Sequence, residues 1–208
     1  QVFRVSSSFG SIGNFQLLLS FLSSGLYSFV KTLLTLEDSP IAITDETLRQ
    51  RNHHEETVLM ILLSSLQGNP KIVEPSIRTE FMNLLTFLLE TEKLNPNEVD
   101  RKGNNCLHSI CSLFLLLDPT QDESIMFFYS DIIHTLIRSQ ADPTQTNQRG
   151  ETPLCILAQY QLRFPTREEF LSKLVSALLP RNESNESNQT WHSPLHIATF
   201  QRNFTMVE

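Results

Sequence analysis

The chain has 208 residues, of which 40% are hydrophobic, and its formal net charge at pH 7 is -7. A chain of this length buries enough surface to form a stable core. The acidic balance argues against a general nucleic-acid binder, because affinity for phosphate backbones depends on Lys and Arg side chains. We therefore expect a protein partner of basic or mixed charge, and no nucleic acid.

Three cysteines, Cys106, Cys111 and Cys155, are odd in number and lack the spacing of a disulfide framework. Such usage is typical of a reducing compartment, where thiols pack as small core residues. We therefore expect a cytoplasmic or nuclear protein in which these thiols are buried.

The first feature along the chain is an uncharged segment, residues 5–30. Its length would be sufficient to span a bilayer. However, eight serines and three glycines interrupt its apolar runs, whereas a membrane helix or a signal peptide needs a continuous one. We expect no membrane span here.

One short motif then recurs four times. Its copies, in chain order, are residues 55–62, 100–111, 147–158 and 193–198. The leucines that align between copies are Leu59, Leu107, Leu154 and Leu195, at steps of 48, 47 and 41 residues. Self-similarity at such a period predicts an array of stacked supersecondary units.

A second apolar helix is predicted after each of the first three copies, because apolar residues recur there at intervals of three and four. The clearest begins at Ile132 and closes at Ala141-Asp142-Pro143. Its counterparts are residues 81–89 and 170–179. Proline soon after a helix end is a stop signal, since it lacks the amide hydrogen of the next bond.

These motifs resemble those of the ankyrin-repeat family, whose unit is a turn with Asp and Gly, an inner helix opened by Thr-Pro-Leu-His, and an outer helix ending near Gly-Ala-Asp. The closest matches are residues 150–158, 193–198 and 141–143. Residues 15–22 and 24–34 resemble the inner and outer helices of an earlier repeat. The resemblance covers the chain from about Asn14 to its end.

The resemblance implies an all-α solenoid of stacked helix-turn-helix units. We expect about five repeats, the last truncated, in a single domain over residues 1–208 that is a fragment of a longer protein with further domains. The predicted repeats are residues 12–50, 51–98, 99–145, 146–188 and 189–208.

Individual positions of the motif have physical explanations. Thr152 and Ser193 lie where a hydroxyl caps the inner helix, and Pro153 and Pro194 lie at its first position. The resemblance implies that His108 and His196 bridge neighbouring turns. The aligned leucines are expected in the core.

Several residues depart from the family's pattern. Asn105 replaces Thr, Cys106 replaces Pro, Cys155 replaces His, and Glu55 stands where Gly is expected. Val58 and Met60 are further departures in the weakest copy. We expect irregular stacking between these repeats.

Extra residues separate the predicted inner and outer helices, at 67–80, 117–129 and 161–167. Insertions that recur at one position of a repeat array line up along one edge. We expect them to extend helices or to form a second surface.

Chemical sites are predicted to be absent. Cys106, His108, Cys111 and His134 offer zinc-ligand types, but the paired ligand spacing of a structural zinc site is missing. A Cys-His nucleophile pair drawn from the same residues lacks a group that would stabilise an oxyanion. The cluster from His53 to Glu56 is expected on an exposed loop tip. We predict no metal, no cofactor and no catalysis.

The resemblance instead implies a protein-interaction module that binds its partner through the loops called fingers and the concave face of the inner helices. The candidate partner-binding residues are Arg101, Lys102, Asn104, Gln148, Arg149, Glu151, Gln159 and Tyr160. An alternative is a regulatory ankyrin domain of a channel or enzyme that acts through intramolecular contacts or assembly. A small catalytic or metal domain is a third reading.

Overall fold

The computed structural model describes residues 11–36, 43–67, 69–92, 94–117, 123–158 and 174–178. The helices among them are α1 (Ser11–Ser23), α2 (Tyr27–Thr35), α3 (Asp45–Leu48), α4 (Val58–Ser64), a 3-10 helix (Pro70–Val73), α5 (Pro75–Glu90), α6 (Cys106–Leu115), α7 (Glu123–Arg138) and α8 (Pro153–Ala158). Residues 174–178 are also helical, and the described ranges contain no strand. The predicted all-α class is confirmed for this part of the chain.

The helices form two rows. One row runs α1, α4, α6, α8, in which each helix packs against the next, and α2, α5 and α7 form the other row in the same way. Contacts between α1 and α2, between α4 and α5, and between α6 and α7 join the rows. Among the described helices, none combines the length and apolar character needed to cross a membrane.

A five-residue turn precedes each of α4, α6 and α8. The three turns begin at Asn52, Asp100 and Asn147, and each first residue donates its amide hydrogen to the carbonyl of the fifth, at 3.2, 3.0 and 2.9 Å. The side-chain oxygen of each first residue also accepts from the amides two and four positions later. Asn and Asp suit this position because their short side chains reach their own backbone.

The fourth residue of each turn has a positive φ. It is Gly103 in the second turn, at +79°, and Gly150 in the third, at +73°. Glu55 takes the same conformation in the first turn, at +62°. This conformation favours glycine because a Cβ crowds the backbone. Glu55 therefore occupies the turn position at which the repeat motif has glycine, as predicted from the sequence.

Consecutive turns are joined by equivalent backbone hydrogen bonds. The Arg101 amide donates to the His54 carbonyl at 3.0 Å, and the Gln148 amide donates to the Lys102 carbonyl at 2.9 Å. The expectation of irregular stacking is therefore wrong for the backbone of these turns. Their joining bonds use main-chain groups, which substitutions of the Thr, Pro or His of the motif leave in place.

Side chains cap the inner helices at matching positions. Thr57 accepts from the Met60 amide, Asn105 from the His108 amide, and Thr152 from the Cys155 amide. Because Asn caps as well as Thr, the Asn105 substitution leaves a capped helix. The predicted cap at Thr152 is confirmed, and so is the predicted position of Pro153 as the first residue of the inner helix α8. Ser193, Pro194, Leu195 and His196 lie outside the described residues.

The core lies between the two rows. Leu59, Leu107 and Leu154 are buried as predicted, and so are all three cysteines. In the outer row, the Phe81 ring contacts Tyr27 edge-on at 5.2 Å and Phe128 at 5.6 Å between ring centroids. These contacts join α2, α5 and α7 through one buried side chain.

Two of the predicted insertions lengthen the outer helices. Helix α5 begins at Pro75 and α7 at Glu123, upstream of the predicted starts at Phe81 and Ile132. The first insertion also contains the 3-10 helix. The third, residues 161–167, lies outside the described residues. Neither α3 nor the 3-10 helix was predicted from the sequence.

Candidate functional site

A cleft of about 320 Å³ opens between the second and third turns and the inner helices α6 and α8. Its lining comprises Lys102, Asn104, Ser112, Leu115, Asn147, Gln148, Arg149, Glu151 and Ile156. We call this surface the turn cleft. Five of the eight predicted site residues line it. Arg101 is exposed beside it, and Gln159 and Tyr160 lie outside the described residues.

Hydrogen bonds among Asn104, Asn147 and Glu151 form one wall of the turn cleft. The Asn147 side-chain amide donates to the Asn104 Oδ1 at 3.0 Å and to a Glu151 carboxylate oxygen at 3.0 Å. Asn104 in turn donates to the Asp100 carboxylate at 3.1 Å. Both hydrogens of the Asn147 amide group are thus used, which suits a side chain that is only 9% exposed.

The spacing between the two turns is fixed by close packing of the backbone. A Cβ at Gly103 would lie 2.9 Å from the Gln148 nitrogen, so only glycine allows this approach. The Gln148 side-chain amide also donates to the Arg101 carbonyl at 2.9 Å. Lys102 and Arg149 are therefore carried on a rigid pair of turns.

Two ion pairs lie along the turns. The Arg51 guanidinium contacts the Glu98 carboxylate and also donates to the carbonyls of Glu55 and Val99. Arg101 and Glu55 are 3.7 Å apart, with side chains 68% and 56% exposed. Exposed pairs of this kind contribute little stability, typically about 0–1 kcal/mol. Their significance for binding is that they occupy Arg51 and Arg101.

His108 bridges α6 to the third turn, as the resemblance implied. Its Nε2 donates to the Glu151 carbonyl at 2.9 Å, and its Nδ1 accepts from the Asn105 amide at 3.2 Å. Burial lowers the pKa of this histidine, although the Glu151 carbonyl and the charges of Asp100 and Glu151 oppose the shift. A buried, neutral and fully bonded imidazole acts as a structural brace.

The cysteines near His108 have the properties of core residues. Burial raises the pKa of Cys106 and of Cys111 to about 12, with the Glu98 charge adding to the shift at Cys106. Thiols with such pKa values are protonated at neutral pH and are poor nucleophiles. His134 contacts the Ser130 carbonyl in its own helix at 2.8 Å. Within the described ranges, no group of three or more His, Cys, Asp or Glu residues is arranged to hold a metal.

The remaining site predictions concern residues 53–56. His53, His54 and Glu55 are exposed, as expected for a loop tip, and the two imidazole rings lie 3.8 Å apart between centroids. Glu56 is half-buried and accepts from the Asn52 side chain at 2.6 Å.

Four residues of the turn cleft were not predicted: Ser112, Leu115, Asn147 and Ile156. Asn147 could have been predicted, because it is the first residue of its turn, as Asp100 is of the preceding turn. Ser112 and Leu115 lie three residues apart on α6 and thus share one face of that helix. Their proximity to the turns depends on how the turns fold back over the inner helices, which the periodicity does not specify.

A second groove, of about 280 Å³, lies at the edge formed by the insertions. Apolar residues dominate its lining, including Ile72, Val73, Leu113, Leu116 and Ile125. Val73 is 59% exposed and Leu116 is 65% exposed. A second surface was one of the two expectations for the insertions, and Ile72, Val73 and Ile125 lie within the predicted ranges 67–80 and 117–129.

Comparison of the sequence with known proteins gives no assignment. No protein-family model matches the chain. A search of curated proteins finds no significant relative either. The candidate site is therefore interpreted from its own geometry.

Proposed function

We propose that this chain is a non-catalytic protein-interaction module made of divergent ankyrin repeats. It binds a protein partner through its finger turns and the concave face of its inner helices. The observation that carries the proposal is the set of three equivalently bonded turns, each followed by a capped inner helix. The ankyrin motif likewise places a turn before each inner helix.

The chemistry of the turn cleft supports binding of a macromolecule. Lys102, Gln148 and Arg149 are exposed, whereas Asn147 and His108, which position the turns, are buried. A surface that combines adaptable polar side chains with a rigid backbone limits the entropy lost on binding. Arginine is also enriched at protein interfaces relative to other surfaces.

Affinity capture with charge-reversed variants tests the proposal. Three baits are immobilised at equal density: the wild-type chain, the Arg101→Glu/Arg149→Glu variant and a control variant. The partner proteins that each bait retains are quantified by mass spectrometry. The control, Lys71→Glu/Arg138→Glu, has the same net charge but changes exposed residues outside the turn cleft. Circular dichroism verifies that all three are folded.

We expect a set of proteins that is retained by the wild-type chain and by the control but is depleted at least severalfold on Arg101→Glu/Arg149→Glu. Equal retention on all three baits would overturn the assignment of the finger face. Loss on both charge-reversed baits would show that net charge alone explains retention.

The alternative, a regulatory ankyrin domain that contacts other parts of its own protein, is favoured by exposed apolar side chains on the first helix pair. Leu26 is 45% exposed and Phe29 is 44% exposed. Exposed apolar surface of this kind is typical of interaction sites. Crosslinking of the full-length protein, with the crosslinker at Phe29, would yield intramolecular products under this alternative and intermolecular products under the first proposal.

A further inference from the structure

The three turns and the residues flanking them carry six carboxylates, and each has a partner within the chain. Those of Glu56, Asp100, Asp142 and Glu151 accept hydrogen bonds from Asn52, Asn104, Thr144 and Asn147, respectively. Glu55 and Glu98 pair with Arg101 and Arg51. Two of the six carboxylates thus pair with arginines, and the other four accept these bonds from neutral side chains, which do not cancel their charge.

The cations of the same face differ in whether a carboxylate of the chain holds them. Arg51 and Arg101 are held by the carboxylates of Glu98 and Glu55. Lys102 and Arg149 are exposed, and their side chains have no hydrogen-bond or ion-pair partner among the described residues. Both line the turn cleft. Of the three charged residues that line the turn cleft, Glu151 accepts a hydrogen bond from Asn147, whereas the two cations keep their donors available to a ligand in the described part of the chain.

Resting on the proposed function, we propose that Lys102 and Arg149 bind carboxylates of an acidic segment in the protein partner. An arginine guanidinium presents a planar fork of donors that matches a carboxylate, and a lysine ammonium presents three donors. The Gln148–Lys102 backbone hydrogen bond of 2.9 Å holds the two cations on adjacent turns. They therefore contact acidic residues of one short segment.

The apolar part of the turn cleft adds a further requirement. Half-buried Leu115 and buried Ile156 line the same cleft as the two cations. Apolar surface removed from water on binding contributes about 25 cal/mol per Å². The segment that fits carries an apolar side chain between or beside its acidic residues.

This inference differs from the expectation drawn from net charge. The chain as a whole carries -7, which favours a basic or mixed partner at long range. Exposed charges are screened beyond about 8 Å at physiological ionic strength. Recognition at contact distance therefore depends on the local charge of the turn cleft, where the cations Lys102 and Arg149 outnumber the carboxylate of Glu151, rather than on the total charge.

The test is a selection from a library of random peptides displayed on phage. The baits are the wild-type chain, Lys102→Glu/Arg149→Glu, and the charge-matched control Lys71→Glu/Arg138→Glu. The best wild-type peptides are then synthesised twice, once as selected and once with Asp and Glu replaced by Asn and Gln. Their affinities are measured by fluorescence polarisation at low and at physiological salt.

We expect peptides enriched in Asp and Glu around an apolar residue, from the wild-type chain and from the control. Affinity should fall about tenfold for Lys102→Glu/Arg149→Glu and for the neutralised peptides, as expected for two lost charge pairs of moderate strength. Raising the salt concentration should weaken the acidic peptides but not the neutralised ones.

Four outcomes would overturn the inference, and they are distinguishable. Peptides that bind the turn cleft without acidic enrichment, or whose affinity is unchanged by Lys102→Glu/Arg149→Glu, refute the acidic segment and leave the proposed function standing. If no sequence is enriched on any bait, the proposed function fails as well. A preference for inorganic phosphate over the selected peptides in competition would refute the carboxylate assignment.

Discussion

The imidazole of His108 and the backbone carbonyl of Glu151 are joined by a hydrogen bond of 2.9 Å that connects an inner helix to the next turn. His108 is fully buried, and its other ring nitrogen accepts from the Asn105 amide. One side chain thus ties the start of α6 to the third turn. Glu151 itself is part of the turn cleft, so this bond also positions the candidate site.

Replacing His108 by leucine should destabilise the fold by about 1–3 kcal/mol, because the Glu151 carbonyl and the buried Asn105 amide lose a partner while the volume is nearly kept. Urea denaturation followed by circular dichroism measures the change. His134→Leu is the matched control, since that histidine contacts only its own helix in the described hydrogen bonds. A smaller loss for His108→Leu than for His134→Leu would contradict the bridging role.

The same histidine predicts a pH dependence of stability. Burial lowers the pKa of His108 in the folded state, so the unfolded chain binds more protons just below the ordinary pKa of about 6.5. The contribution of His108 is therefore complete above that value and is lost as the pH falls through it towards the folded pKa. Unfolding free energies between pH 8 and pH 5 should fall more steeply for the wild-type chain than for His108→Leu. Parallel curves would show that other groups cause the dependence.

The positive φ at the fourth residue of the turns predicts that two substitutions change the stability of the fold in opposite directions. Glu55 has a φ of +62°, where a non-glycine residue costs about 1 kcal/mol, so Glu55→Gly should stabilise the fold by somewhat less than that amount. Gly103→Ala should destabilise it by about 1–3 kcal/mol, because the added Cβ meets the Gln148 nitrogen at a positive φ. Urea denaturation compares both with the wild-type chain. Effects of the same sign would contradict the equivalence of these positions.

Much of the fold follows from local rules that a sequence displays. The first and fourth residues of each turn, the cap at Thr152 and the buried leucines are set by backbone conformation and by the spacing of apolar residues. The all-α class follows from the same periodicity. Substitutions such as Asn105 for Thr changed little, because both side chains satisfy the same helix terminus.

Other features depend on distances that only the folded chain fixes. Helix α3 is four residues long, too short to show a period, and is held by the Thr44 cap. The starts of α5 and α7 lie within insertions that the motif does not cover. Arg101 pairs with Glu55, whereas Lys102 has no ion-pair partner among the residues that the structure describes, and this difference depends on how adjacent turns stack. The sequence placed all three residues on turns without distinguishing them.

In the outer row, the contacts of Phe81 with Tyr27 and Phe128 predict that stability depends strongly on the Phe81 ring. Phe81→Ala removes a buried ring that joins three helices and leaves a cavity, so it should cost about 3–5 kcal/mol. Phe127→Ala is the matched control, since that ring is 56% exposed, and it should cost less than about 1 kcal/mol. Urea denaturation measures both, and mass-spectrometric hydrogen exchange locates the effect. Exchange should quicken in α2, α5 and α7 of Phe81→Ala if these helices pack as one row. An increase confined to α5 would show that the helices of this row are stabilised separately.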